Sequence, residues 1–329
     1  MLRLRYAALI TGIILAVLVT AQSLLAADRL NYRLKWLFNT SVVGDLYANV
    51  QGHFQDARLA VNVKSGGPER DAIKELELGL AQFGVASADQ VIRALAKGAP
   101  VVVIAQLFQV NPLQWIYRQS SPPINQLSDL KGRVIGVTFG GNDETIMRTL
   151  LAKAGLAEPE VELFNVRYDY TPFYRHQVDI WPVYRNTQGI VIGRKMQADS
   201  DPVRFLVPGD FGVQFVANSV VTSQKMIQRD PETVKRFVQA LLTGWETALD
   251  PANEVRALDT LQQYDKDTPR ELLAEQLAIT RTLIKPKADL AIGTIDTAAW
   301  QQTEAIMLDQ KQISEPVGVE TVLHAEFAF

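Results

Sequence analysis

Apolar and polar positions along this chain switch repeatedly between two periods. In "YRLKWLF", Leu34, Trp36 and Phe38 alternate with Arg33 and Lys35, as in a half-buried strand. "YANVQGHF" reads as a short helix closed at Gly52, and "LAVNVK" as a strand ending at "SGG". Residues 68–79 predict a helix, "AQFGVAS" a strand, "ADQVIRALAKG" a helix and "PVVVIAQLF" a fully buried strand. A polar, proline-bearing stretch, "RQSSPPINQ" at 118–126, interrupts the pattern. It restarts with the buried strand "VIGV", the glycine turn "FGGND", and a helix. That helix gathers Ile146, Met147, Leu150, Leu151 and Ala154 on one face and stops at Gly155. After "FVANSVVTS" at 215–223 the chain becomes mainly helical. Asp230, Pro231 and Glu232 supply an N-cap, a first-turn proline and a first-turn acid. Val234, Val238, Leu241, Leu242 and Trp245 form the stripe that follows. "DLAIGTID" reads as a linker into a last helix beginning near Asp296.

Strands alternating with helices predict an α/β fold with mostly parallel sheets. There is no internal sequence repeat. The segmentation divides the chain after its first 27 residues into two lobes, 28–117 plus 222–329 and 118–221. Two extended crossings, near 112–122 and 218–224, would form the hinge of a closing cleft. One large α/β domain with a polar loop is the alternative. In such sheets ligands sit beyond the carboxyl ends of the strands, where turns and helix N-termini offer free backbone N–H groups.

Composition narrows the field. The net charge of −3 comes with no basic block, which argues against nucleic acid. The chain has no Cys, so disulfides, thiolate catalysis, Cys-ligated zinc and a lipid-modified N-terminal Cys are excluded. Arg3 and Arg5 precede an apolar stretch from Ala7 to Val19 and the small-residue region "TAQSLLAAD", the order of a secretory signal over 1–27. Residues 7–27 also have about the length that spans a bilayer, so an uncleaved anchor is the alternative. Either way the rest is exported. His53, His176 and His324 lack metal-ligand spacing, and no nucleophile elbow, paired-carboxylate motif or His-x-x-x-His helix occurs. No catalytic residue, metal or cofactor is expected.

Several segments together carry a family likeness: "WLFNT", then "GDLYANVQGHF", "GLAQFGV", "GAPVV", "DLKGRVIGV", and "VVTS" followed by "DPETV". In this order and spacing the chain resembles the periplasmic substrate-binding proteins of ABC importers for sulfonates, nitrate and thiamine-pyrimidine precursors. The resemblance implies a type II fold: two mostly parallel sheets flanked by helices, a cleft between lobes and two hinge crossings. It further implies a monomer that binds a small-molecule solute and delivers it to an inner-membrane permease from the periplasm. "WLFNT" is most similar to the thiamine-pyrimidine branch. There the Asn lies at the cleft and a Tyr seven residues later stacks on the heterocycle. Here Leu46 holds that position and Tyr47, the expected ligand contact, follows at a turn of about 100° around the helix. Where that branch places a Glu, "VDIWPVYRNTQG" offers Gln188. A carboxamide both donates and accepts, which suits a lactam or imide edge such as a uracil-like or flavin-type ring.

The expected ligand contacts follow from strand ends and loops. Trp36, Trp115, Trp181, Tyr184 and Phe211 are the aromatics placed to sandwich a flat ring. Asn39 is either a ligand hydrogen bond or the cap of the next helix. Ser65 with Gly66, Ser87, and Asn186 beside Gln188 supply hydroxyls, backbone N–H groups and amides. Gly140, Gly141 and Asn142 open a helix whose N–H groups could grip an anion. Asn142 can also cap that end, and Asp143 and Glu144 in the first turn oppose an anion there. Arg167, Arg175 and Arg185 lie nearby in sequence and keep an anionic ligand open.

The leading expectation is a periplasmic receptor for a planar nitrogen heterocycle. Its rival is a binding protein for an alkyl sulfonate, taurine or nitrate. A membrane-tethered sensor domain is a further alternative. The fold also resembles fungal pyrimidine-precursor synthases with a Lys-bound pyridoxal cofactor. Those lack a secretory signal, and their reactive constellation is not found here.

Overall fold

The computed structural model describes residues 28–329 apart from 68–69, 158–159 and 167–168. The expected signal or anchor at 1–27, and Arg167, lie outside the described residues. β1 (Asp28–Arg33), β2 (Leu59–Lys64), β3 (Phe83–Ala86), β4 (Val101–Gln106) and β10 (Ser219–Ser223) form a sheet ordered β2-β1-β3-β10-β4. β5 (Leu113–Arg118), β6 (Val134–Val137), β7 (Glu162–Asn165), β8 (Ile180–Tyr184) and β9 (Val203–Leu206) form a second, ordered β7-β6-β8-β5-β9. The two orders are the same pattern twice. In each sheet one strand runs against the others, β10 in the first and β5 in the second. That strand is the first to form after the chain crosses from the other sheet. A structural repeat therefore exists without a sequence repeat.

Strand pairing corrects the expected crossing. The sequence pattern puts residues 113–117 with the first lobe, but β5 pairs with β8 and β9 in the second sheet. The chain crosses at 107–112 and returns at 207–218, and the polar stretch at 118–126 is a connection inside the second sheet. β1 also stops earlier than the alternation implies. It ends at Arg33, and Leu34 N–H still bonds Lys64 at 2.9 Å. Beyond that, Gly66 lies against the Leu34 and Lys35 backbone, where a Cβ would come within 2.2 Å of a carbonyl oxygen. The chain then bends, and Asn39 accepts from Ser41 N–H at 2.8 Å to start a short 3-10 turn.

The helical half folds as the pattern predicts. Asp230 caps the helix Pro231–Leu249 by accepting from Thr233 N–H at 3.0 Å, and its apolar stripe is buried. This helix packs closely on the helix Val43–Val50, Gly44 facing the Trp245 ring and Gly244 facing Ala48. The glycine turn "FGGND" leads into the helix Asn142–Ala154, which ends at Gly155 in the left-handed conformation. A continuous apolar core joins the sheets, with Ile73, Val91 and Trp300 packed in one cluster with Trp115, Ile135 and Ile146. Among the described residues no helix is long and apolar enough to cross a membrane.

Candidate functional site

The carboxyl ends of the like-directed strands in each sheet lie at one edge, and the counter-running β5 and β10 begin at that same edge. The two edges are joined by Asn186, just beyond β8. Its Nδ2 donates to Ser41 Oγ at 3.0 Å and to Thr280 Oγ1 at 2.9 Å, both on the first-sheet side. Residues following β1, β2 and β3 thus face those following β6 and β8, and the seam between them is the candidate ligand cleft.

Three carboxamides at this edge are incompletely paired. Asn186 is fully buried, and its Oδ1 has no hydrogen-bond partner. Asn218, immediately before β10, has a buried Oδ1 in the same condition. Gln114, second residue of β5, is fully buried with neither Oε1 nor Nε2 bonded. Buried amides without partners are costly, and these three share the end of the sheets at which β5 and β10 begin and β8 ends. Asn186 was anticipated; Gln114 and Asn218 were not. The signal was an amide inside an apolar run, in "PLQWIYR" and "FVANSVVTS".

The aromatic residues divide sharply. Trp36, beyond β1, is 37% exposed, and Phe139, beyond the equivalent strand β6, is 52% exposed. Phe139 lay in the glycine turn but was not singled out from sequence. Trp115 and Trp181, expected as ligand contacts, are core residues instead. Trp115 is mid-strand in β5 and donates from Nε1 to Gly136 O at 3.0 Å. Trp181 packs against Tyr170 and Phe173 on the face of the second sheet. Tyr47 is buried and stacked on His53, so the offset from the family position turns it into the core. Tyr184 and Phe211 are half-buried and lean on the core that joins the sheets.

The polar residues are mostly engaged locally. Asn39 serves as the cap, as one of its two expected roles required. Ser65 lends its carbonyl to Arg33, whose guanidinium also pairs with Glu75 at 2.8 Å. Gly66 N–H bonds Trp36 O at 2.8 Å, which fixes the Trp36 turn. Ser87 forms a capping box with Gln90 and donates to Asp89. Gln188 is exposed; its Oε1 accepts from Tyr184 N–H and Thr187 Oγ, leaving Nε2 to donate.

Two backbone N–H groups of the glycine turn are taken by its own acids. Asn142 is the first residue of the helix and makes no cap. Glu144 accepts from Gly140 N–H at 2.7 Å, and Asp143 accepts from Thr138 N–H at 2.6 Å. Burial raises the Asp143 pKa while the Thr138 hydrogen bonds act against it. Gly140 takes φ +80°, a conformation that favours glycine. Arg185 lies over the Phe205 ring, and Arg175 is exposed.

A cavity of about 140 Å³ lies between the crossings, lined by Gln106, Gln109, Asn111, Pro208 and Gln214. A wider groove of about 620 Å³, lined by Arg29, Asn31, Phe54 and Asn62, sits away from the amide-bearing edge.

Two five-stranded mixed sheets joined by paired crossings define a type II periplasmic-binding fold, that of the solute-binding proteins of ABC importers. Residues 39–254 match the family described as NMT1/THI5 like, and the chain belongs to that family. It is 26% identical over 255 residues to a riboflavin-binding protein, RibY, of Chloroflexus aurantiacus, covering 74% of this chain and 70% of that one. It is 23% identical to a putative thiamine biosynthesis protein of Haemophilus influenzae, covering 90% and 91%. In structure it is similar to the periplasmic aliphatic sulphonate binding protein SsuA of Escherichia coli. That comparison has a TM-score of 0.71 at 16% identity and covers 91% and 92% of the two chains.

Proposed function

We propose that this protein is an extracytoplasmic receptor of an ABC import system. It captures a small planar nitrogen heterocycle, a thiamine pyrimidine precursor or a related pyrimidine- or flavin-like compound. It then delivers the solute, chemically unchanged, to a membrane permease. In this reading the lobes are the two sheets with their helices, 28–112 plus 219–329 and 113–218, and the receptor acts as a monomer.

The observation that carries this reading is the set of unpaired buried amide atoms at Gln114, Asn186 and Asn218. Amides match the alternating donors and acceptors along a heterocycle edge. Trp36 and Phe139, exposed on equivalent turns, offer ring faces, each stacking contact contributing about 0.5–1.5 kcal/mol beyond area burial. The names of the Chloroflexus and Haemophilus relatives agree with a heterocyclic ligand. The self-capped glycine turn disfavours an anion at that helix.

A thermal-shift screen of pyrimidines, flavins, alkyl sulfonates and nitrate tests the proposal. A pyrimidine or flavin raises the melting temperature, and Trp36→Ala or Phe139→Ala weakens its binding by about 1–3 kcal/mol. A response to sulfonate or nitrate alone would replace the heterocycle with the anionic solute.

A further inference from the structure

An ion pair links a helix on the second sheet to a helix on the first. The helix Gln188–Ala198, on the second sheet, meets the helix Arg270–Ile284, whose Leu273, Leu277 and Leu283 sit in the first-sheet core. Arg194 makes a forked pair with Glu275, Nε to Oε2 at 2.8 Å and Nη2 to Oε1. Glu271, one turn earlier, also attracts the Arg194 charge. Further along the same helix, Thr280 receives Asn186.

The other end of this helix is fixed to the pivot. Leu283 O accepts from Gln109 N–H and Val110 N–H, both at 3.0 Å, in the first crossing between the sheets. Glu275 lies eight residues back, about 12 Å along the axis at 1.5 Å per residue. Contacts at the crossings move little in a rotation about them, whereas a contact between the lobes further along the helix is carried further apart. We infer that Arg194 and Glu275 are positioning residues for capture, a charge pair that sets how often the cleft is closed without touching the ligand. This inference rests on the two-lobed receptor reading above.

Both side chains are about half exposed, so the pair is a modest one. Its loss opens the cleft without unfolding the chain. The R194E variant sets like charges against Glu275 and Glu271. It weakens binding by about three- to tenfold, and E275R in the same chain recovers most of the loss.

The chain has no native Cys, so spin labels at R175C and V255C, exposed positions in different lobes, report the opening directly in the full chain. Pulsed-resonance distances are compared among the labelled parent, R194E and R194E/E275R without ligand. Dissociation constants follow, with riboflavin and an aminopyrimidine as probes. The expected result is a longer, broader distance distribution in R194E and its return towards the parent in the double variant. Identical distributions in parent and R194E, or no recovery in the double variant, overturn the inference. If the distributions move as expected while neither probe binds, the latch stands and the heterocycle reading fails.

Discussion

Gln114→Met separates a ligand-reading amide from a structural one. Gln114 sits on β5 among Leu113, Trp115 and Ile116, fully buried, with both carboxamide atoms unbonded. Leaving such a group unpaired costs about 1–3 kcal/mol by protein mutational measures. Methionine keeps the length and removes the polar atoms. The ligand-free variant is therefore more stable than the parent by about 1–3 kcal/mol. For a large domain each kcal/mol moves the melting temperature by about 2–4 °C. The same substitution removes a hydrogen bond from the bound state, weakening affinity by about 1 kcal/mol or roughly fivefold. Calorimetric melts with and without the ligand found by the screen measure both effects. A lower ligand-free melting temperature would falsify the argument, because the amide would then be satisfied in the native protein by ordered water. A higher one with unchanged affinity would remove Gln114 from the ligand edge.

Two further outcomes test the packing beneath the site. Asp45 is buried and accepts from the Tyr32 hydroxyl at 2.5 Å; burial pushes its pKa up to about 7, with Tyr32 and Trp245 pulling it back. Between about pH 4 and 7 the folded state keeps a proton that the unfolded chain releases. Stability therefore falls as pH rises through that window, by on the order of 4 kcal/mol, and is flat above it. Asp45→Asn abolishes this slope in melts between pH 4 and 8; an unchanged slope means another group is responsible. Gly44→Ala forces a methyl into the Trp245 ring, which lies 2.0 Å from the position a Cβ would take. It destabilises by about 1–3 kcal/mol or more through overpacking, read as a lower denaturation midpoint at unchanged slope. A neutral result would show that the two helices can separate freely.

The fold was legible because its signals are local. Asp230 and Pro231, the stop at Gly155, and the apolar run at 101–106 each declare an element without reference to the rest of the chain. β5 went to the first lobe because the chain shows its break only afterwards, at the polar stretch 118–126, while "LQWIYR" itself is buried throughout. Even Arg118 is buried by Asp201, Phe173 O and the Phe173 ring. The site was less legible. A tryptophan beside a turn reads the same whether it lines a cleft, like Trp36, or fills a core, like Trp181; only the packing of Tyr170 and Phe173 decides. Nor could spacing show that Asp143 and Glu144 would take the N–H groups of their own turn.

The placement of β10 between β3 and β4 governs the order in which the molecule can be built. β4, "VVVIAQ", is buried along its whole length and has β10 as its ladder partner in the first sheet. Roughly 110 residues separate them, on the order of 5–20 s of ribosomal synthesis. The short bridges on its other side come from Gly293 and Leu323, later still. The inserted sheet, contiguous from Leu113 to Leu206, is complete before the frame that carries it. For that interval an apolar strand waits without its ladder partner, its backbone N–H and C=O groups open to pairing with another chain.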